Sequence, residues 1–308
     1  MDVSIVIPAY NAQATLADCL AAATGQWMPP GRRFEVIVVD DGSEDSTAEI
    51  GGRFPVTVIR KTNAGVSAAR NAGILHASAP WVAFTDADCI PSRRWAWSLV
   101  EAAEAAGLQT LGAAGKTVGY ESRTQAARFV DLTGGLDAQA HLAHPTFPFA
   151  PTCNTLYRRS ALFAVGGFDG RFSNYETQDL HHRLCRQHGG AMVYQPRAVV
   201  LHRHRATWTE YWRQQCGYGR GHALLYLRYR DQLAWNWAHE IAAWGHIAGL
   251  VPRALISRGD AGLVQRGTLV KQLAYRVGFV RTYYNQQERL RLSAPAPAEP
   301  NRVQAEVG

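Results

Sequence analysis

The sequence lacks the signs of an oxidising compartment. Its five cysteines are odd in number, lie far apart and include no C-x-x-C pair, which argues against a disulfide framework and a zinc site. The opening residues MDVSIVIPAY carry no basic segment, and their apolar run ends at Pro8, so they do not have the pattern of a secretion signal. We therefore expect a reduced protein of the cytoplasm.

Glycine-rich phosphate cradles are also missing. No Gly-x-Gly-x-x-Gly follows the first apolar run, and no Gly-x-x-x-x-Gly-Lys-Ser/Thr motif occurs in the chain. These absences argue against dinucleotide-binding dehydrogenases and P-loop enzymes. A nucleotide bound by this chain would have to be held by other groups.

The sequence has no uninterrupted apolar run long enough to span a membrane. The nearest candidate, residues 233–251, is broken by Asn236, His239, Glu240 and His246, and burying such groups in a bilayer costs several kcal/mol. An interfacial helix with its tryptophans at the headgroups and a helix packed against the domain both explain this pattern. An anionic membrane surface is therefore a candidate partner, with the protein peripheral on the inner membrane face.

The chain does contain enough apolar material for a core. Of its 308 residues, 47% are hydrophobic and 19% charged, which is typical of a globular protein. Positive charge is concentrated late in the chain, where residues 201–291 hold 14 Lys and Arg against five Asp and Glu. Such a region could meet nucleic acid, anionic lipid or substrate phosphates, and charge alone does not choose among them.

Short β-branched runs alternate with amphipathic segments over the first ninety residues. Four runs have the pattern of buried strands: 3–7, 34–39, 56–59 and 81–85. Helices are predicted between them and from Pro91 to about Ala106, with further strands in 108–160 and helices from Trp208 onward. This alternation predicts an α/β fold with a mostly parallel sheet, in which ligands bind at the carboxyl ends of the strands.

Pairs of aspartates follow two of these predicted strands. Asp86 and Asp88 come after the fourth run, and because residues i and i+2 of an extended segment point the same way, their carboxylates share one space. A divalent cation relieves their repulsion, and hard oxygen ligands suit Mg²⁺ or Mn²⁺. Asp40 and Asp41 take the same position after the second run. They could accept hydrogen bonds from a base or a ribose, or simply cap a turn.

Four motifs in this order are similar to those of the family 2 glycosyltransferases, which have the GT-A fold. They are SIVIPAYN at 4–11, VVDDGSEDST at 38–47, NAGVSAARNAG at 63–73 and FTDAD at 84–88. As a set the motifs are specific, and the similarity covers roughly residues 1–90, becoming weaker to about residue 220. The resemblance implies a GT-A sheet flanked by helices, followed here by a helical C-terminal appendage.

The resemblance also implies roles for the matching residues. Those expected to contact the base, the ribose or the rest of a nucleotide-sugar donor are Pro8, Ala9, Tyr10, Asp40, Asp41 and Arg70. Asp86 would face the ribose and the sugar. Asp88 would bind the Mg²⁺ or Mn²⁺ that holds the diphosphate.

A second block, residues 164–183, resembles the acceptor region of the family, in which a helix carries the catalytic base. Aligned on Asp179 and Arg183, the block has Thr177 where the family has its base aspartate, and a threonine cannot be that base. Glu176 and Asp179, three residues apart on one helical face, could deprotonate an acceptor hydroxyl instead, and we prefer Glu176 because it adjoins the expected position. Both could equally be acids that stabilise the first turn of a helix.

Basic residues follow the predicted strand at 198–201. The family often has a histidine here that completes the metal or diphosphate site, and we assign that role to His202. Arg213 and Arg220 could bind a phosphate of the donor or the acceptor. The segment that contains them, WRQQCGYGRG at 212–221, lacks the Gln-x-x-Arg-Trp signature of processive synthases, so transfer of one or a few sugars is expected.

These features predict an inverting transferase that moves a sugar from a nucleotide-sugar donor to a hydroxyl of a sugar, a lipid-linked molecule or another acceptor, in glycan, glycolipid or cell-envelope synthesis. The predicted divisions are a catalytic domain at 1–206, made of a donor half at 1–90 and an acceptor half at 91–206, a helical, basic, Trp-rich region at 207–292 and a disordered tail at 293–308.

Three alternatives come from other functional classes. Thr177 leaves open a catalytically silent protein that binds a nucleotide sugar. A nucleotidyltransferase would use similar carboxylates and metal, but it normally has a Gly-rich basic loop after the first strand, where this chain has Pro8-Ala9-Tyr10-Asn11. The basic C-terminal third could contact nucleic acid, although no nucleic-acid partner is expected.

Overall fold

The computed structural model describes residues 1–145, 147–232 and 237–285. Within them the strands are β1 (Val3–Ala9), β2 (Phe34–Asp40), β3 (Thr57–Arg60), β4 (Trp81–Phe84), β5 (Cys89–Pro91), β6 (Gly112–Gly119), β7 (Thr155–Arg158) and β8 (Met192–His202). The helices are α1 (Leu16–Thr24), α2 (Thr47–Gly51), α3 (Val66–His76), α4 (Trp95–Ala105), α5 (Gln125–Thr133), α6 (Ala138–Leu142), α7 (Arg159–Ala164), α8 (Glu176–His188), α9 (Trp208–Arg228), α10 (Trp237–Ile256) and α11 (Gly259–Tyr283).

All these strands belong to one sheet with the order β3-β2-β1-β4-β7-β6-β8-β5. β3, β2, β1 and β4 run parallel, whereas β7 is antiparallel to both β4 and β6. β8 is parallel to β6, and β5 lies antiparallel to β8 at the edge. The strand order reverses between β1 and β4, and a crevice opens at the carboxyl ends of the strands at such a point. The predicted α/β fold with a mostly parallel sheet is confirmed.

Apolar layers cover both faces of the sheet. Every residue of β1 is buried, and its side chains alternate between the layers. Ile5 packs with Leu16 and Leu20 of α1 on one face, and Val6 packs with Ile74 of α3 on the other. Each such aliphatic side chain contributes roughly 1.5–3 kcal/mol of burial free energy. The helical spacing of apolar residues read from the sequence of α1 therefore corresponds to its buried face.

Helices α9, α10 and α11, here called the helical lobe, follow the sheet. α9 and α11 pack backbone against backbone, since a Cβ added at Gly219 of α9 would lie 1.9 Å from the carbonyl oxygen of Tyr275. α10 buries Ile247, Leu250 and Ala254. Among the described helices, none is long and apolar enough to cross a membrane. Residues 233–236 and the tail predicted at 293–308 lie outside the described residues.

Candidate active site

Two predicted donor residues lie at the end of β2, and the first of them, which is the last residue of the strand, is inside the protein. Asp40 is fully buried. Its carboxylate accepts a hydrogen bond from the backbone N–H of Ser43 at 2.9 Å and lies 3.3 Å from Nε of Arg60. These contacts hold the turn after β2, and Asp40 does not line the cavity described below.

Asp41, the next residue, joins this turn to the start of α3. Its carboxylate accepts hydrogen bonds from the backbone N–H groups of Ala64 at 3.1 Å and Gly65 at 2.8 Å, and it pairs with the Lys61 ammonium. Asp41 is 3% exposed. A base or ribose that bound here would therefore have to share or replace existing hydrogen bonds.

The three residues predicted to line the nucleobase lie at the end of β1. Pro8 and Ala9 are buried, and Tyr10 is 50% exposed beside them. Ala9 pairs in register with Asp40, which places the ends of β1 and β2 side by side. The structure thus brings the predicted donor residues to one edge of the sheet, and their contacts with a nucleotide stay predictions.

Arg70 connects predicted site residues that are far apart in the sequence. It lies on α3 and is 4% exposed. One guanidinium nitrogen donates to Oε1 of Glu176 at 2.7 Å, and the other donates to Oδ1 of Asp86 at 3.1 Å. The guanidinium also lies over the ring of Phe168. Arg70 therefore joins Asp86, at the edge of the sheet where the predicted donor residues lie (the donor edge), to Glu176 in the block at 164–183 (the acceptor block).

Asp88 and His202 form a group of possible metal ligands with Cys89. Their ligand atoms lie within 4.8 Å of one another, and His202 Nε2 is 3.7 Å from Oδ1 of Asp88. Cys89 is fully buried, whereas Asp88 and His202 reach the cavity. A carboxylate oxygen suits either Mn²⁺ or Mg²⁺, whereas an imidazole nitrogen is accepted more readily by Mn²⁺ than by the harder Mg²⁺. These residues therefore fit the ion implied by the family resemblance, and Mn²⁺ fits them better.

The two candidate bases differ in their surroundings. Glu176 lines the cavity, and its Oε2 has no hydrogen-bond partner among the described residues. Asp179 is fully buried and does not line the cavity. It accepts hydrogen bonds from Nε of Arg183 at 2.8 Å and from the hydroxyl of Tyr229 at 2.7 Å. Only Glu176 is placed where an acceptor hydroxyl could reach it.

Arg228, at the end of α9, ties the helical lobe to the acceptor block. Its guanidinium lies 3.1 Å from Oδ1 of Asp179 and 2.8 Å from Oδ2 of Asp169, which also accepts hydrogen bonds from Arg171. Burial raises the pKa of Asp169, but the hydrogen bonds from Arg171 and the nearby Arg228 outweigh it and hold that pKa at about 2. The ion pairs of Arg228 with Asp169 and Asp179, here called the Arg228 anchor, were not predicted from the sequence.

The residue before Glu176 has an unusual backbone. Tyr175 has a φ of 68°, in the left-handed region, which costs a residue other than glycine on the order of 1 kcal/mol. The hydroxyl of Tyr275 in α11 hydrogen bonds to that of Tyr175 at 3.0 Å. A Cβ at Gly221 of α9 would lie 2.5 Å from the carbonyl oxygen of Asn174. The helical lobe therefore holds the turn that carries Glu176.

A cavity of about 770 Å³ joins these groups. Predicted site residues in its wall are Arg70, Asp86, Asp88, Glu176, His202 and Arg213, and Arg220 is not in the wall. Residues not anticipated from the sequence are His141, Tyr175, Tyr218, Lys271 and Tyr275. Burial is the main cause that raises the pKa of Tyr218, so its hydroxyl stays protonated. For Tyr218 the available sequence signal was the aromatic and glycine-rich segment 211–221.

A family model described as Glycosyl transferase family 2 matches residues 4–166, a range that contains all four N-terminal motifs. The chain belongs to glycosyltransferase family 2. The resemblance inferred from the motifs is thereby confirmed.

Curated glycosyltransferases are similar over much of this chain. The pre-mycofactocin glycosyltransferase of Mycobacterium tuberculosis is 31% identical over 248 residues, which are 76% of this chain and 49% of that protein. Glycosyltransferase AglE of Haloferax volcanii is 32% identical over 172 residues, 54% of this chain and 55% of that protein. The chain thus spans about half the length of these relatives.

Solved structures of glycosyltransferases share the fold. A mannosyltransferase of Pyrobaculum calidifontis in complex with GDP-Man and Mn²⁺ matches with a TM-score of 0.65 and 18% identity over 92% of this chain and 87% of that chain. Glucosyl-3-phosphoglycerate synthase of M. tuberculosis, in complex with Mn²⁺, UDP and phosphoglyceric acid, matches with a TM-score of 0.54 and 20% identity over 73% and 77%. This family 2 chain therefore has the GT-A fold, with added C-terminal helices.

Proposed function

We propose that this family 2 chain transfers a sugar from a nucleoside-diphosphate sugar to an acceptor hydroxyl with inversion at the anomeric carbon. The observation that carries the proposal is the meeting of Asp86, Asp88 and Glu176 around one cavity, with Arg70 bridging two of them. Its volume of about 770 Å³ lies in the range of ligand sites, roughly 300–1,000 Å³.

Asp88 and His202 are the residues that would hold a divalent cation. When bound there, Mn²⁺ or Mg²⁺ would stabilise the negative charge of the departing diphosphate. Arg205 and Arg213 also line the cavity and, within the described part of the chain, make no ion pair. We assign these two guanidinium groups to the phosphates, because they follow His202 closely in the chain.

Glu176 is proposed as the base in place of the family aspartate that Thr177 replaces. Arg70 orients the carboxylate through Oε1, and Oε2 accepts the proton of the acceptor hydroxyl. The hydroxyl oxygen forms a bond to the anomeric carbon while the bond from that carbon to the diphosphate breaks on the opposite face. The nucleoside diphosphate leaves with the bonding electrons, which gives inversion.

Product analysis tests this proposal. The protein is incubated with UDP-, GDP-, dTDP- and CDP-sugars, with Mn²⁺ and sugar or lipid-linked acceptors, and release of nucleoside diphosphate is measured. NMR then determines the anomeric configuration of the transferred sugar. We expect release from one donor class and an inverted product. A retained configuration would contradict the mechanism, and binding of a donor without release or transfer would favour the silent alternative.

We also propose that α10 contacts an anionic membrane surface, as suits a lipid-linked acceptor. Its solvent face carries an apolar stripe in which Ile241 is 71%, Trp244 47%, Val251 44% and Leu255 81% exposed. These positions recur at helical spacing, and the excess of Lys and Arg over Asp and Glu in residues 201–291 suits an anionic surface. Tryptophan at headgroup level is typical of such helices.

Flotation with liposomes tests this contact. We expect the wild type to float with vesicles of phosphatidylglycerol and phosphatidylcholine and to float less with phosphatidylcholine alone. Leu255→Ser should reduce flotation, whereas Leu108→Ser, which changes a leucine that is 89% exposed outside α10, should not. Equal flotation of both variants and the wild type would contradict the proposal.

A further inference from the structure

We propose that the acceptor carries an anionic group, a carboxylate or a phosphate, that binds Lys271 in the part of the cavity formed by the helical lobe. This inference rests on the proposed transfer reaction, because it concerns the acceptor of that reaction. The supporting observation is that the amine of Lys271 lies in the cavity wall without a carboxylate beside it among the described residues.

Lys271 lies on α11 and lines the cavity. No residue in the described ranges forms an ion pair or a hydrogen bond with it. Burial lowers the pKa of its amine. A partly buried ammonium without a partner is unfavourable, and a bound anion would compensate it. Arg70 in the same cavity differs, because Glu176 and Asp86 already pair with it.

The position of Lys271 relates it to the candidate base. Tyr275 follows one turn later on α11, on the same face, and its hydroxyl contacts that of Tyr175, the neighbour of Glu176. One turn of helix rises about 5.4 Å. A single acceptor could therefore present a hydroxyl to Glu176 and extend past the two tyrosines to place an anion at Lys271.

The surroundings of Lys271 show which other groups an acceptor would meet. His141 lies close enough to Lys271 for their charges to interact, and it stacks on Phe149 with ring centroids 4.5 Å apart. Phe149 and Leu136 also line the cavity. Burial is the main cause that lowers the pKa of His141, so its imidazole is neutral near pH 7 and the positive charge of this pair is on Lys271. The acceptor predicted by this chemistry has a ring or an apolar body next to its anionic group.

Phenyl phosphate, phenylacetate and benzyl alcohol are suitable probes, since they share a ring and differ in charge. Calorimetry measures their affinity for the full chain with UDP or GDP and Mn²⁺ present and again without nucleotide. We expect at least one anion to bind about tenfold more tightly than the alcohol, and which anion binds better distinguishes phosphate from carboxylate.

Variants locate the binding and separate this inference from the transfer reaction. Lys271→Met should remove the preference for the anion, and Lys271→Arg should keep it. Arg266→Met, which removes a charge from the same helix outside the cavity, should keep it too. Nucleoside diphosphate affinity should not change in Lys271→Met. Equal affinity of all three probes for the wild type, or a preference for the anion that survives in Lys271→Met, would overturn the inference. If the wild type binds no nucleoside diphosphate at all, that result would count against the transfer reaction instead.

Discussion

The donor edge of the sheet and the helical lobe contribute to the same cavity in different ways. At the donor edge, Asp86 and Asp88 lie in the short turn that connects β4 to β5. In the lobe, Lys271 and Tyr275 line the cavity because α11 packs closely against α9, with contacts at Gly219 and Gly278. Chemistry that short motifs encode is thus combined with binding groups that depend on helix packing.

The largest expected effect is on the donor edge. Asp88→Ala removes a proposed metal ligand, and we expect turnover to fall by about 1,000-fold or more, since several kcal/mol of charge stabilisation are lost. The melting temperature should change little because Asp88 reaches the cavity. Asp260→Ala, which removes an exposed carboxylate of the helical lobe, serves as the control. Turnover near that of the wild type in Asp88→Ala would remove the metal assignment.

Substitutions of the two acids of α8 should affect different properties, catalysis in one case and stability in the other. Glu176→Gln should lower kcat by about 100-fold or more, the size of a lost general base, with little effect on stability. Asp179→Asn should instead lower the free energy of unfolding by about 3 kcal/mol, because it removes the buried negative charge that pairs with Arg183 and, together with Asp169, with Arg228. Steady-state kinetics and urea unfolding measure the two effects. A similar pattern for both variants would contradict the distinction.

Packing of the lobe is tested by two glycines. Gly219→Ala should lower the free energy of unfolding by up to about 3 kcal/mol, because its Cβ would lie 1.9 Å from the Tyr275 carbonyl oxygen. Gly245→Ala is the matched control, since a Cβ there meets nothing within 4 Å. Because Gly245 lies within α10, Gly245→Ala should stabilise that helix by up to about 1 kcal/mol. Urea unfolding measures both, and equal effects would contradict the close α9–α11 contact.

A smaller effect concerns how the free energy of unfolding contributed by Asp169, which pairs with Arg228 and Arg171, depends on pH. The folded pKa of Asp169, about 2 against an ordinary 3.8, means that its contribution of about 2 kcal/mol is present above pH 4 and is lost as pH falls toward 2. Asp169→Asn should therefore be less stable than the wild type at pH 6, and the difference should shrink as pH falls through this window. A difference independent of pH would contradict the depressed pKa.

The fold and the donor edge could be predicted from the sequence, because each depends on local patterns. The β-branched runs predicted the strands, and the amphipathic spacing of α1 predicted its buried face. The four motifs, in their order along the chain, indicated the family. The acceptor side could not be predicted in the same way. Asp179 and Glu176 look equivalent on a helical face, and only tertiary contacts with Arg228 and Arg70 separate them. Lys271 lies in no recognised motif.

Donor binding is the most direct test of the central claim that Asp88 and its neighbours form a metal-assisted donor site. UDP-, GDP-, dTDP- and CDP-sugars are titrated calorimetrically into the wild type and into Asp88→Ala, each with Mn²⁺ and with chelator. We predict that one donor class binds at least about tenfold more tightly with Mn²⁺ and that Asp88→Ala loses this gain. Donor binding that is indifferent to Mn²⁺, or a gain that persists in the variant, would contradict it.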